Sequence, residues 1–199
     1  MRKLTSLLLA AMLLSVALFI LPVHGEAGIY DNVIRLHVLA NSDSEEDQAL
    51  KLKVRDAILE GTQGLFEGAT SRAAAEERLV AALPQIEAIA ASTLAAEGVR
   101  APVAVTLDYE EYPRRSYEAL ALPAGEYLSL RVQIGAAAGQ NWWCVMFPPL
   151  CMSAASEERE ATCLAAGLTD EQYRLITDSE GAQYRVRFKL LEVAEQLFG

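Results

Sequence analysis

The chain has 199 residues, 52% of them hydrophobic, with 17 Lys+Arg against 27 Asp+Glu and a formal net charge of −10. Its length suits one domain of about 100–200 residues plus a targeting segment, and its apolar share is ample for a core. The acidic balance argues against nucleic acid or anionic lipid as a ligand, since both carry the same sign of charge.

Arg2 and Lys3 precede an uncharged run of 20 residues from Leu4 to Val23. A basic n-region followed by an apolar h-region is the pattern of an export signal. Val23-His24-Gly25, with small residues near Glu26-Ala27, offers an imperfect cleavage site, and the run is also long enough to span a bilayer if it is not cut. Residues 1–25 are therefore either a signal peptide or an uncleaved anchor. In the anchored case residues 4–23 contact the membrane, and Arg2 and Lys3 stay in the cytoplasm. Residues 26–199 form the exported part, which keeps 15 Lys+Arg against 27 Asp+Glu, a balance of −12.

From Val33 to Ala40, Ile34, Leu36 and Val38 alternate with Arg35, His37 and Leu39, and this period of two predicts a strand. Asn41-Ser42-Asp43-Ser44 is a dense run of turn and cap formers. Ser42 with Glu45, or Ser44 with Asp47, has the capping-box spacing, so a helix is expected over about Glu45–Glu60. Leu50, Val54, Ala57 and Ile58 would form its buried stripe. Asp47, Lys51 and Arg55 step along another face in the acid-before-base order that supports a helix, and Gly61 and Gly64 end it.

An Ala-rich helical region follows from Ser71 to Ala96, with Leu79, Leu83, Ile86, Ala90 and Leu94 at helical spacing. Pro84 predicts either a kink or two helices. Val103, Val105, Leu107 and Tyr109 then alternate with polar residues as a half-buried strand. After a polar connection from Glu111 to Gly125, Leu128, Leu130, Val132 and Ile134 alternate with Ser129, Arg131 and Gln133 as another. A Gly135–Gly139 turn leads into Trp142, Trp143, Val145, Met146 and Phe147, a short buried strand stopped by Pro148-Pro149. Trp142, Trp143 and Phe147 serve there as core anchors or, alternatively, as an aromatic patch for a partner.

Cys144 and Cys151 bracket the exit from that strand. In an exported protein they either close a disulfide loop around the prolines, leaving Cys163 free, or stay reduced. Ser153 to Gly181 reads as polar, irregular and exposed, with a short helix from Thr169 whose capping box Gln172 completes. Ala182–Phe198 predicts a last helix with Val186, Leu190, Val193 and Leu197 on one face. Three strands in succession with shortish connections favour antiparallel pairing. The expected fold class is α+β: a single domain with a mostly antiparallel sheet of about four strands and helices packed on one face.

His37, the sole histidine past the leader, can be drawn with Cys144 or Asp43 as a hydrolase site. No nucleophile elbow accompanies it, and catalysis of that kind needs a base in reach and a third group to orient it. Asp43, Glu45, Glu46 and Asp47 lack the twelve-residue register of a calcium loop. The cysteines lack the paired spacing of a zinc site. No catalytic residue, metal or cofactor is expected.

Two blocks carry more. IRLHVLANSDSEEDQALKLKVRDAIL, from Ile34 to Leu59, and LPAGEYLSLRVQIGAAAGQNWWCVMFPPLC, from Leu122 to Cys151, resemble the two signatures of the stage II sporulation protein R family. The resemblance implies signalling rather than catalysis. In endospore-forming Firmicutes such a protein is made in the forespore and exported toward the space between the forespore and mother-cell membranes. There it triggers a membrane-embedded aspartic protease of the mother cell, which removes the pro-sequence of pro-sigma-E. For that role the candidate partner-binding surface is the turn bearing Asn41, Ser42, Asp43, Asp47 and Gln48, with Lys51 and Arg55 on the adjoining helix. Gln140 and Asn141 are expected beside it. The same residues also suit a structural job, building the core and its caps. The competing readings are an extracytoplasmic Cys/His hydrolase and a structural protein of the septum or envelope.

Overall fold

The computed structural model describes residues 28–117, 120–150 and 156–177. The expected leader, Cys151 and the expected last helix lie outside these residues. The elements are β1 (Ile34–Leu39), α1 (Glu45–Gly61), α2 (Arg72–Ala96), β2 (Val103–Tyr112), β3 (Arg115–Ser116), β4 (Ala121–Leu122), β5 (Gly125–Ile134), β6 (Asn141–Phe147), α3 (Ser156–Ala165) and α4 (Asp170–Thr177). They form the expected α+β domain around a four-stranded sheet of order β2-β5-β1-β6. The β2–β5 and β1–β6 pairs are antiparallel and β1–β5 is parallel.

The order departs from a simple succession, because β1 sits between β5 and β6 and keeps those two consecutive strands apart. Every residue of β1 is buried, so both of its faces are covered, as a central strand requires. The alternation of polar and apolar residues along β1 predicts one wet face, but Arg35 and His37 are also enclosed, at 0% and 8% exposure.

On one face Ile34, Leu36 and Val38 meet Leu128, Leu130, Val132 and Ile134, under the buried stripes of α1 and α2. Leu50, Val54 and Ile58 supply the α1 stripe, with Ala57 half-buried. Ser44 caps the helix by accepting from Asp47 N at 3.1 Å, which decides between the two cap spacings. Leu79, Ile86, Ala90 and Leu94 supply the α2 stripe with Ala82, while Leu83 is half-buried. Helix α2 is a single helix rather than two, with Pro84 inside it and exposed.

The opposite face has its own cluster. Tyr112, Tyr127 and Val145 from the sheet pack with Leu120 and Leu122 of the β3–β4 region and with Cys163, Leu168 and Ile176. The stretch expected to be irregular therefore holds α3 and α4 and contributes buried side chains on the second face, whereas the two long helices share the first. Thr169 and Gln172 make the expected reciprocal capping box, at 2.9 and 3.2 Å. The run's net polarity obscured its few apolar anchors.

The aromatic strand needs a further correction. Phe147 is the fully buried anchor, at 1% exposure, and Trp143 is half-buried against the second cluster, whereas Trp142 is 36% exposed. The reason is position: β6 lies at the sheet edge, and its Asn141 end faces solvent.

Arg35 is held without an ion-pair partner among the described residues. Its Nε donates to the Cys144 carbonyl at 3.0 Å and its Nη2 to the Tyr117 hydroxyl at 2.6 Å. The guanidinium lies 4.3 Å from the Tyr112 ring centre and 5.1 Å from that of Tyr127, so ring faces replace the missing carboxylate. Phe147→Ala is expected to lower stability by about 3–5 kcal/mol, the range for emptying a packed aromatic site. Trp142→Ala should lower it by no more than about 1 kcal/mol, the scale of an exposed cation–π contact. Urea denaturation of both variants checks the contrast.

Candidate functional site

The strand-to-helix turn after β1 and the turn between β5 and β6 are built as one unit. Asn41 Oδ1 accepts from Ala136 N at 3.0 Å, and the Asn41 and Ala40 carbonyls accept from Ala138 N and Gly139 N at 3.2 and 3.0 Å. Asp43 Oδ1 accepts from Gln140 N at 2.7 Å. The approach is close enough to demand glycine: a Cβ on Gly139 would come 2.1 Å from the Ser42 carbonyl oxygen. Gly135 has a φ of +59°, and a Cβ there would lie 2.2 Å from Asn41 Oδ1.

Helix α1 fastens the unit from below. Lys51 Nζ donates to Gln48 Oε1 at 2.6 Å and to the Gln140 carbonyl at 2.9 Å. Gln48 Nε2 in turn donates to the Ser42 carbonyl at 2.8 Å. Lys51 is only 4% exposed, and burial pulls its pKa below the usual lysine value, with the Asp43 charge opposing that shift. Asn41 Nδ2 and Ser42 Oγ both donate to Asp47 Oδ2, at 2.8 and 2.5 Å. Those bonds, Ser42 first and Asn41 second, hold the Asp47 carboxyl below its ordinary 3.8.

Asn41, Ser42, Asp43, Asp47, Gln48, Lys51 and Gln140 thus fall in one network. Lys51 reaches toward the second turn, not back along the helix to Asp47. Asn141 looks elsewhere, with its Oδ1 2.8 Å from His37 Nε2. His37 Nδ1 lies 3.2 Å from both oxygens of Glu110, and Arg131 Nε is 3.4 Å from one of them. Arg55 stands one turn beyond Lys51, its guanidinium 4.2 Å from the Trp142 ring centre and 2.6 Å from Asp56. Next to that pair lies a groove of about 540 Å³, lined by Asp56, Leu59, Glu60 and Cys144 among others.

Glu110, Asp56 and Glu60 were not singled out from sequence. Asp56 and Glu60 stand at i and i+4 on α1, with Gln63 just past its end, which marks a face, but nothing local says that the face meets Trp142. A Cys/His pairing is contradicted. His37 pairs in register with Trp143 while Cys144 pairs with Leu36, so the two side chains leave opposite faces of the sheet. Cys144 is moreover disulfide-bonded and Cys163 is free, buried, and pushed up to about 11 by burial. The expected partner of Cys144, Cys151, lies outside the described residues.

Lys51→Met removes the bond to the Gln140 carbonyl and is expected to destabilise by about 1–3 kcal/mol. Amide exchange should then quicken at Gly139 and Gln140 before it does in β5. Asp47 has a folded pKa below its unfolded one, so its ionised form adds stability above about pH 4 that is lost as pH falls through the folded value. Thermal melts against pH should show this acid loss, and Asp47→Asn should flatten part of it.

Residues 30–157 match the family described as Stage II sporulation protein R. Stage II sporulation protein R of Bacillus subtilis (strain 168) is 42% identical over 123 residues, which cover 62% of this chain and 55% of that protein. The chain therefore matches only about half the length of that curated relative. No solved structure matches. The family span takes in β1 to β6 and every residue of the two-turn network, well over half of the sequence. The chain belongs to the stage II sporulation protein R family.

Proposed function

We propose that this chain is an exported sporulation signal that leaves the forespore and activates a membrane-embedded aspartic protease of the mother cell, with processing of pro-sigma-E as the result. The observation that carries this reading is the family match across residues 30–157. The basic n-region and apolar run at the N-terminus support export, and the net charge of −10 suits a soluble protein ligand.

The geometry supports a division of labour within the site. A ligand activates a receptor only by binding its active state better. A surface already held in shape does so with less ordering on binding. Asn41, Ser42, Asp47, Gln48 and Lys51 spend their hydrogen bonds on one another and act as the frame. Contact falls to the exposed groups beside that frame, Gln140 and Trp142, with Arg55 stacked behind Trp142.

Co-expression of the full chain with the protease and pro-sigma-E in a non-sporulating bacterium, followed by immunoblot, tests the reading. Loss of the pro-sequence only when the N-terminal leader is present is the expected result. Unprocessed pro-sigma-E with all three proteins folded and present would overturn it. Activity of a soluble fragment starting near Glu26, supplied from outside the cytoplasm, would count against a purely structural envelope role. In the same assay Trp142→Ala is expected to impair processing with little change in melting temperature. Gln48→Ala should lower both.

A further inference from the structure

Strand β2 forms one edge of the sheet, and no strand among the described residues pairs with its outer side. The Pro102 carbonyl accepts from Gly135 N at 2.8 Å, so at that position the backbone turns toward β5. An antiparallel strand alternates the direction of its backbone groups residue by residue. The N–H and C=O groups of Val103, Val105, Leu107 and Tyr109 therefore point away from the sheet. Tyr109 agrees with this, since its N–H donates to Asp108 Oδ1 of its own strand at 2.8 Å. That side-chain acceptor, with the charges of Asp108 and Glu111 beside it, closes the far end of the edge to further pairing. The span Val103–Leu107 reads VAVTL, carries no charge and has no such cap among the described residues. An uncharged edge of this composition is a template for another strand.

A second copy of the chain fits that template. Its centre is Val105, and an antiparallel copy related by a two-fold axis there sets Val105 opposite Val105 and Val103 opposite Leu107. All three outward positions then exchange backbone bonds. Val103, Val105 and Leu107 are half-buried against the core below α2, and the copy would cover what they still expose with the same three apolar side chains. On the other face this register sets Arg100 opposite Glu110 of the second copy and diagonal to its Asp108. Arg100 and Asp108 are exposed, and Arg100 makes no ion pair among the described residues. Opposite charges facing across a strand pair favour it, and a long side chain also reaches the diagonal position. Centring the pair on Leu107 instead would set Asp108 diagonal to its own copy. It would also call on the Tyr109 N–H that Asp108 already holds.

We propose that this protein forms a two-fold dimer in which the β2 edges of two copies pair antiparallel about Val105, joining the two sheets into one. This goes beyond the proposed function and does not rest on it.

The test uses the full chain in mild detergent at about 0.15 M salt, where repulsion from the net charge of −10 is screened over about 8 Å. Sedimentation is expected to show a dimer. Val105→Pro should convert it to monomer with an unchanged circular dichroism spectrum, because a proline at an outward position removes no bond to β5. Arg100→Glu, an exposed change that leaves the core alone, should weaken the dimer by about tenfold or more, since it turns an attraction into a repulsion at both symmetric sites. Ala104→Cys and Thr106→Cys, prepared as separate variants, probe the register. The two positions face each other across the pair, so oxidising a mixture of the variants should give a covalent dimer on non-reducing electrophoresis, and neither variant should give one alone. A monomer throughout the accessible concentration range would overturn the proposal. So would a dimer that withstands both Val105→Pro and Arg100→Glu, or cross-linking of either cysteine variant with itself.

Discussion

The arrangement of this protein depends on one buried ammonium group. Lys51 is almost fully enclosed, and its charge is tolerated because it donates to the Gln48 side chain and to the Gln140 carbonyl. An enclosed cation without such partners would be strongly unfavourable. The bond to Gln140 crosses 89 positions of sequence and ties the second turn of the core helix to the loop between the last two strands. Gly135 and Gly139 let the loops approach closely enough for that tie. With the turns joined, α1 has a set angle to β6, and Arg55 is delivered onto Trp142.

The sheet separates two kinds of surroundings. Under the long helices the face is hydrocarbon, and its one reactive atom type, the Cys144 sulfur, is in a disulfide. The other face holds Arg35 among tyrosine rings and His37 between Glu110 and Asn141. His37 has both ring nitrogens engaged by its neighbours, as a structural polar residue does, whereas Arg35 keeps one guanidinium nitrogen, Nη1, buried without a hydrogen-bond partner among the described residues. Features that look reactive in one dimension are thus divided between two faces.

Local chemistry was the legible part. Alternation marked Ile34–Leu39, Val103–Tyr109 and Leu128–Ile134 as strands, and spacing marked the stripes Leu50-Val54-Ile58 and Leu79-Ile86-Leu94, because these patterns follow from backbone geometry alone. The caps at Ser44 and Thr169 could be read as well, since each needs only three neighbouring residues. The choice for Trp142 between core anchor and exposed aromatic could not be made from sequence, because hydrophobicity states what a side chain prefers but not whether its strand lies at an edge. The pairing of Lys51 with Gln140, rather than with Asp47 one turn away, was invisible for a similar reason. A nearby acid is an adequate partner for an exposed lysine, and only burial by a distant loop makes a carbonyl the better one.

By itself the sequence determined the α+β class, the helix and strand periods, the acidic surface and the family, through two blocks that together span both turns. Tertiary structure alone decided that the first strand enters between the last two, parallel to one and antiparallel to the other. It also decided that His37 and Cys144 face opposite ways and that Trp142 opens onto a groove rather than a core. These outcomes depend on which strand is central and which is an edge. That choice is made by the summed burial of every element at once, and no window of neighbouring residues contains it.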